Sequence, residues 1–119
     1  MRKYTETPWG PSSETETTVI ADGIISYTTP SHGGFHLSEA RQKVIQKRFP
    51  DFKTFGNGTA WFEEDCDAAV VMVAFPEAFS ETNVKHAEKM ILNMPDYFKI
   101  TAYQLFNEKS QARNTESIA

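Results

Sequence analysis

The sequence predicts an α+β fold, in which a small antiparallel sheet that begins with an N-terminal hairpin packs against three to four helices. Residues 14–20 and 24–29 are rich in threonine and β-branched side chains, which favour strands. Helical signals follow only after residue 37, and this order argues against a doubly wound parallel sheet. The 119 residues are 39% hydrophobic and 13% aromatic, which is enough for one core.

The N-terminal third is predicted to contain a rigid turn and a hairpin. Pro8 and Pro11 flank Trp9-Gly10, so residues 7–11 are expected to form a turn and not the interior of a helix or strand. Trp9 is expected to pack on the edge of the core and hold the N-terminus there. The Asp-Gly pair at 22–23 lies between the two strand-like segments and is typical of a hairpin.

Residues 30–36 interrupt the strand pattern and lead into a basic helix. The paired glycines at 33 and 34 are read as a break. Ser38 is a suitable N-cap for a helix that runs to Arg48 and ends at Phe49-Pro50. Its apolar positions form a single narrow stripe of Ala40, Val44 and Ile45.

The middle of the chain predicts a turn, a short strand and a buried helix. Phe52, Phe55 and the glycine-rich residues 56–58 come first, followed by strand-like residues 59–62. Asp65 is expected to cap a central helix over 66–75, which is apolar nearly all round, and Pro76 stops it. A buried strand stays the alternative, because residues 70–73 are rich in β-branched side chains.

Two further helices are predicted after residue 80. Ser80 opens a helix over 81–94 with one apolar face, and Pro95 ends it. Asp96 is a candidate cap for a last short helix that reaches residue 106. The apolar face of the first helix comprises Val84, Ala87, Ile91 and Met94. We expect a single domain over 1–108 and a flexible polar tail over 109–119.

Charge is unevenly distributed along the chain. Twelve Lys and Arg against sixteen Asp and Glu give a net charge of −4, which argues against direct nucleic-acid binding. Residues 41–53 are mainly basic, and residues 63–67 hold four acids within five positions. Both runs are read first as solvated faces, and alternatively one of them docks an oppositely charged partner.

The sequence indicates a soluble cytoplasmic protein. No apolar run approaches the roughly 20 residues that cross a bilayer, so no membrane partner is expected. The basic N-terminus lacks the apolar stretch of a secretory signal. A single cysteine, Cys66, excludes an intramolecular disulfide and suits a reducing compartment.

Several separated motifs together resemble a known family. They read Thr-Pro-Trp-Gly at 7–10, Gly-Ile at 23–24, Ser-His-Gly-Gly-Phe-His-Leu-Ser at 31–38 with Arg41, Trp-Phe-Glu-Glu-Asp-Cys-Asp at 61–67, and Ala-Phe-Pro at 74–76. From residue 7 to about residue 80 the chain resembles an uncharacterised domain family of short bacterial, phage and plasmid proteins. Phe62 stands where tyrosine is common in that family. The resemblance implies a mobile genetic element in a bacterial host cell and no assigned activity.

The chemistry-bearing residues form one candidate polar cluster, which comprises Ser31, His32, Gly33, Gly34, His36, Trp61 and Cys66. His32 and His36 are four residues apart, and carboxylates at 63–65 could add metal ligands. That spacing is diagnostic only on a helix, and glycines separate the two histidines. We therefore predict no metal site and no cofactor.

The same cluster allows three further readings. Cys66 could be a nucleophile near a helix start, but the surrounding acids disfavour its thiolate, so a small buried hydrophobe in the central helix is preferred. Residues 31–34 could cradle an anion. The preferred reading makes the glycines a tight turn and lets His32 and His36 hydrogen-bond Glu63 or Glu64. His86 is expected to be exposed.

Three functions are weighed on these residues. The preferred one is a small non-enzymatic binding protein of a phage or plasmid, which would inhibit or modulate a host protein or ribonucleoprotein complex such as a defence system. The residues expected to bind this partner are Glu63, Glu64, Asp65 and Asp67. The alternative is a small enzyme that acts on a nucleotide or phosphorylated metabolite through His32, His36 and a carboxylate. Nucleic-acid contact through residues 41–48 ranks last, and a homodimer stays open.

Overall fold

The main sheet is a four-stranded antiparallel meander. A computed structural model describes residues 3–54 and 60–106. The strands of this sheet lie in the order β3-β4-β5-β6, where β3 is Thr17–Ala21, β4 is Ile24–Thr28, β5 is Gly33–Leu37 and β6 is Trp61–Glu63. The predicted α+β class is confirmed, and so is the hairpin at Asp22-Gly23 that joins β3 to β4.

A second, two-stranded sheet precedes the meander. Strands β1 (Tyr4–Thr7) and β2 (Gly10–Ser13) pair as a hairpin around Pro8-Trp9. Sequence reasoning predicted only the turn and excluded strand interior from residues 7–11. Pro11 is tolerated in β2 because each strand of a two-stranded sheet has a free edge. Residues 14–16, predicted as strand, form a 3-10 turn instead, in which Glu16 accepts from the backbone N–H of Ser13.

The break predicted over residues 30–36 is confirmed for residues 30–32 and wrong for residues 33–36, because Gly33 begins strand β5. This strand pairs with β4 on one side and β6 on the other. A Cβ on Gly34 would lie 2.2 Å from the carbonyl oxygen of Phe62 and 2.6 Å from the ring of Trp9. The glycines are therefore required by close packing and not by a turn.

Five α-helical segments follow or interrupt the sheet in the described part of the chain. They are α1 (Glu39–Arg48), α2 (Ala68–Ala74), α3 (Glu81–Asn93), α4 (Pro95–Phe98) and residues 102–106. Ser38 and Ser80 cap α1 and α3 as predicted, each accepting a backbone N–H in the first turn. Pro95 begins α4 rather than only ending α3, since proline fits the first helical position.

The predicted apolar stripe of α1 is confirmed only in part, because Ile45 is buried whereas Ala40 and Val44 are exposed. The central helix starts at Ala68 and not at Cys66, with Asp67 as its N-cap residue. It is buried as predicted and packs against α3, β5 and β6. Met94 lies beyond the end of α3 and is exposed.

The two faces of the meander have different roles. One face carries Ile24, Phe35, Leu37 and Phe62, and helices cover it to form the core. The core is completed by buried residues of the helical half, among them Val70, Val71, Val73, Ile91, Phe98 and Leu105. The opposite face carries Tyr27, His36 and Trp61, and Trp9 of the N-terminal hairpin packs there. The candidate functional site adjoins this second face.

No helix among the described residues has the length and apolar character needed to cross a bilayer. The predicted turn at 56–58, with Phe55 and Thr59 beside it, lies outside the described residues, as does the predicted tail over 109–119.

Candidate functional site

An acidic turn, defined as Glu63, Glu64 and Asp65, connects β6 to α2. Glu64 and Asp65 are exposed and Glu63 is half-buried. The backbone N–H of Glu64 donates to the carbonyl of Gly33 (2.9 Å), and that of Asp65 donates to the Glu63 carboxylate (3.1 Å). The turn is thus held to the sheet through β5 while its carboxylates reach the surface.

Burial and nearby negative charges shift the pKa of one acid in the acidic turn. Partial burial, followed by the nearby charge of Asp65 and Asp67, raises the pKa of Glu63. Among the described residues no lysine or arginine forms an ion pair with the acidic turn. Within residues 3–54 and 60–106, the negative charge of the turn is therefore not offset by an ion pair.

Asp67 lies apart from the acidic turn, although sequence reasoning grouped it with the other three acids. Its side chain is only 1% exposed, and it accepts a hydrogen bond from the Tyr97 hydroxyl. Because a buried carboxylate cannot reach a partner surface, we leave Asp67 out of the binding surface that we consider below.

His32 converges with two residues of the acidic turn. One ring nitrogen of His32 and one carboxylate oxygen each from Glu63 and Asp65 lie within 4.8 Å of one another. The backbone of His32 is held by Thr29, whose hydroxyl donates to the His32 carbonyl (2.6 Å) and accepts from its N–H (3.2 Å). These three side chains could hold a divalent cation, but they supply one ligand fewer than the usual four of a structural zinc site.

His36 belongs to a different environment from His32. It stands opposite Trp61 in the β5–β6 pair, and the two rings pack with centroids 4.5 Å apart. Burial lowers the pKa of His36, which favours its neutral form. The predicted hydrogen bonds from the two histidines to Glu63 or Glu64 are not found among the described residues. His32 lies near Glu63 without such a bond, and His36 packs on the ring of Trp61.

Much of the candidate polar cluster forms an aromatic face on the outer side of the meander. Trp61 contacts Trp9 (5.8 Å) and Tyr27 (5.5 Å) as well as His36. The hydroxyl of Ser31 donates to the Trp9 carbonyl at 3.4 Å. The Thr-Pro-Trp-Gly, Ser-His-Gly-Gly and Trp-Phe motifs are therefore parts of one packing arrangement that fastens the N-terminal hairpin to the sheet.

The anion cradle considered for residues 31–34 does not form. Gly33 and Gly34 are strand residues with partners in β4 and β6, so their backbone belongs to the sheet. A phosphate site at a glycine-rich loop instead needs several N–H groups that point at the ligand. The tight turn that we preferred for the two glycines is wrong for the same reason.

Cys66 is a half-buried thiol in the turn before α2, packed against the core but outside the central helix. Burial raises its pKa, and the charges of Asp67, Glu63 and Asp65 raise it further. The protonated thiol is therefore favoured near neutral pH, which supports the reading of Cys66 as a packing residue over that of a nucleophile.

A groove between α2 and α3 lies beside the acidic turn. It has a volume of about 170 Å³ and is lined by Glu64, Asp65, Cys66, Ala68, Ala69, Met72, Asn83, His86, Ala87 and Met90. His86 is exposed as predicted, yet it also forms part of this groove. Sequence reasoning missed the groove, because its residues come from two separate helices.

A larger open cavity, about 600 Å³, lies elsewhere on the molecule. It is lined by Asp51, Leu92, Pro95, Lys99, Ile100, Thr101 and Ala102. This lining contains no histidine or cysteine and none of the motif residues. We therefore place the candidate functional site at the acidic turn and not in this larger cavity.

Comparison with known proteins shows the family to which the chain belongs. A family model described as "Domain of unknown function (DUF7007)" matches residues 2–119. The chain belongs to the DUF7007 family. The resemblance to an uncharacterised small domain family is thus confirmed, and in DUF7007 it extends past residue 80 to the end of the chain. No curated protein and no solved structure matches the chain.

Proposed function

We propose that this DUF7007 protein is a small non-enzymatic binding protein whose acidic turn docks onto a basic surface of a host protein or ribonucleoprotein complex. The observation that carries the proposal is the presence of three adjacent carboxylates, at Glu63, Glu64 and Asp65, with no described ion-pair partner. Uncompensated charge of one sign steers association with a surface of the opposite sign.

The site geometry supports binding over turnover. The thiol of Cys66 is kept protonated by its surroundings, and His36 is packed against Trp61. The groove beside the acidic turn, about 170 Å³, is smaller than the roughly 300–1,000 Å³ of ordinary small-molecule sites. A nucleotide-sized substrate would therefore have little enclosed space beside these residues.

The setting that we propose is a phage or plasmid protein acting inside a bacterial host, with a defence complex as the target. This part of the proposal rests on the resemblance of the motifs to proteins of mobile elements. The net charge of −4 agrees with a partner that carries basic surface, such as a protein that itself binds nucleic acid.

The test is affinity capture from bacterial lysate followed by mass spectrometry, with three baits. The first is the wild type, and the second is the triple variant Glu63→Gln, Glu64→Gln, Asp65→Asn. The third is a control that removes three exposed acids elsewhere, Glu6→Gln, Glu39→Gln and Glu77→Gln. We expect the wild type and the control to retain the same complex and the turn variant to lose it.

Salt provides a second readout of the same capture. Retention should fall steeply as ionic strength rises, because exposed charge pairs are screened beyond a Debye length of about 10 Å at 0.1 M. Capture of no complex, or equal retention by the turn variant, would contradict the proposal.

A second candidate function keeps one specific observation in its favour, namely the convergence of His32 with Glu63 and Asp65 within 4.8 Å. Histidine beside carboxylates can act as a general acid or base in an enzyme acting on a nucleotide or phosphorylated metabolite. Phosphate release from a nucleotide mixture, absent in His32→Ala, would replace the binding proposal. We expect no release, because the carboxylates repel phosphate.

A further inference from the structure

The groove between α2 and α3 combines an apolar floor with an acidic rim. Ala69, Met72, Ala87 and Met90 supply methyl and thioether groups, while Glu64 and Asp65 of the acidic turn supply carboxylates. Both acids are exposed, so their charged oxygens are available to a ligand that enters from solvent. The groove therefore offers two chemically different surfaces within one short depression.

Resting on the function proposed above, we infer that this groove receives one arginine side chain from the protein partner. The methylene stem of the arginine lies along Met72 and Met90, and its guanidinium faces the carboxylates of Glu64 and Asp65. An arginine buries its stem against apolar groups and keeps its charged head near polar ones, which matches the layout of the groove.

The volume of the groove selects for a single side chain. At about 170 Å³ it falls below the range of about 300–1,000 Å³ that is usual for small-molecule pockets. A purely apolar anchor would leave Glu64 and Asp65 at the rim without a charge partner. A cationic side chain with a long apolar stem satisfies both the floor and the rim.

Arginine fits this rim better than lysine. Its planar guanidinium has five donors and can bond two carboxylate oxygens at once, and it is less strongly hydrated than an ammonium. On the α3 side, Asn83 and His86 also line the groove, and Asn83 offers an amide oxygen as a further acceptor. Lys85 of the same helix is engaged with Glu81 (3.1 Å).

Methionine methyl groups provide a direct probe of groove occupancy. Met72 and Met90 line the groove, whereas Met94 is exposed outside it and serves as an internal reference. The full chain is labelled at its methionine methyls and titrated by NMR with the peptide Ac-Gly-Arg-Gly-NH2. The matched peptide carries citrulline in place of arginine, which keeps the shape but removes the charge.

We expect the arginine peptide to shift the Met72 and Met90 signals in a saturable manner and to leave Met94 unchanged. The variant Glu64→Gln/Asp65→Asn should weaken binding about tenfold or more, because charge-assisted hydrogen bonds are lost. The control Glu6→Gln/Glu77→Gln changes the net charge equally and should bind as the wild type does. Both acid pairs include exposed side chains only, so each variant is expected to fold.

Three results would overturn the inference: no shift at Met72 and Met90, an equal shift with the citrulline peptide, or unchanged affinity in Glu64→Gln/Asp65→Asn. Failure here is distinguishable from failure of the binding function. If lysate capture still depends on the acidic turn while the groove ignores arginine, the docking function stands and the arginine anchor is wrong. If the wild type captures no complex, or the turn variant retains it equally well, the docking function is wrong as well.

Discussion

The Tyr97 hydroxyl donates a hydrogen bond to the carboxylate of Asp67, thirty residues earlier in the chain. Asp67 directly precedes α2, and Tyr97 lies in α4, where its ring packs edge-on against Phe98 at 4.9 Å. This contact joins the C-terminal helices to the start of the central helix. Asp67 therefore has a structural role in the fold, whereas Glu63, Glu64 and Asp65 reach solvent.

Removal of the Tyr97 hydroxyl should destabilise the fold. In Tyr97→Phe the buried carboxylate of Asp67 loses one donor, and a hydrogen bond to a charged group contributes about 1.5–3 kcal/mol. Urea unfolding should show a free energy of unfolding lower by about that amount. Tyr103→Phe, at a tyrosine that is 64% exposed, is the matched control and should behave as the wild type. An unchanged urea midpoint in Tyr97→Phe would contradict the structural role of this contact.

Titration of Tyr97 should lower the free energy of unfolding at alkaline pH. Burial, followed by the hydrogen bond to Asp67 and its negative charge, raises the pKa of Tyr97. A group whose folded-state pKa is raised contributes stability that is complete below the unfolded pKa, about 10 for tyrosine, and is lost as pH rises above it. The stability advantage of the wild type over Tyr97→Phe should therefore shrink by up to about 1.4 kcal/mol per pH unit above pH 10.

The measurement is urea unfolding of both proteins at pH 8, 10 and 11. The other tyrosines are common to both chains and cancel in the difference. A difference that stays constant across this range would show that Tyr97 titrates equally in the folded and unfolded states.

The thiol of Cys66 should react slowly with alkylating agents. Because burial and the charges of Asp67, Glu63 and Asp65 raise its pKa, little thiolate is present near neutral pH. We expect iodoacetamide to modify Cys66 more slowly than it modifies free cysteine at pH 7.5. Glu63→Gln/Asp65→Asn should accelerate the reaction, with Glu6→Gln/Glu77→Gln as the control. Rapid modification at pH 6–7 would instead indicate an activated thiol and revive the nucleophile reading.

A side chain at position 34 should disrupt the sheet. In Gly34→Ala the new Cβ would meet the carbonyl oxygen of Phe62 at 2.2 Å and the ring of Trp9 at 2.6 Å. Overpacking costs typically about 1–3 kcal/mol, and a backbone oxygen yields less readily than a side chain. The free energy of unfolding should fall by at least that amount, while Thr82→Ala, at an exposed residue of α3, should have a small effect. Full stability of Gly34→Ala would contradict the close approach of Trp9 to the sheet.

Zinc should have little effect on thermal stability. His32, Glu63 and Asp65 bring three ligand atoms within 4.8 Å of one another, one fewer than structural zinc sites usually use. A cation that bound the folded state at 100 times its dissociation constant would add about 2.7 kcal/mol and raise the melting temperature visibly. We expect no such rise with zinc chloride and no fall with EDTA. A rise that disappears in His32→Ala would show a metal site.

Local sequence signals were sufficient to predict the structural elements that are determined by interactions between neighbouring residues. The Asp22-Gly23 hairpin and the caps at Ser38 and Ser80 are where the residue types place them, because turn dihedrals and cap hydrogen bonds involve neighbours in the chain. The acidic run at 63–67 was likewise read as a charged, solvent-facing segment, which holds for Glu64 and Asp65 but not for the buried Asp67. The resemblance of the motifs to an uncharacterised family was also noted from the sequence, and the family match confirms it.

The close approach of distant segments was decided only in three dimensions. Gly33 and Gly34 resemble a loop when they are read alone, yet they lie in a strand that pairs with β4 and β6. Glycine is needed at position 34 because Trp9 and Phe62 leave no room for a Cβ. Asp67 resembles its acidic neighbours, but Tyr97 and the core bury it. The separation of His32 from His36 and the groove between α2 and α3 have the same origin. Packing between segments far apart in the chain carries no local signature, so such features emerge only once the sheet and helices are assembled.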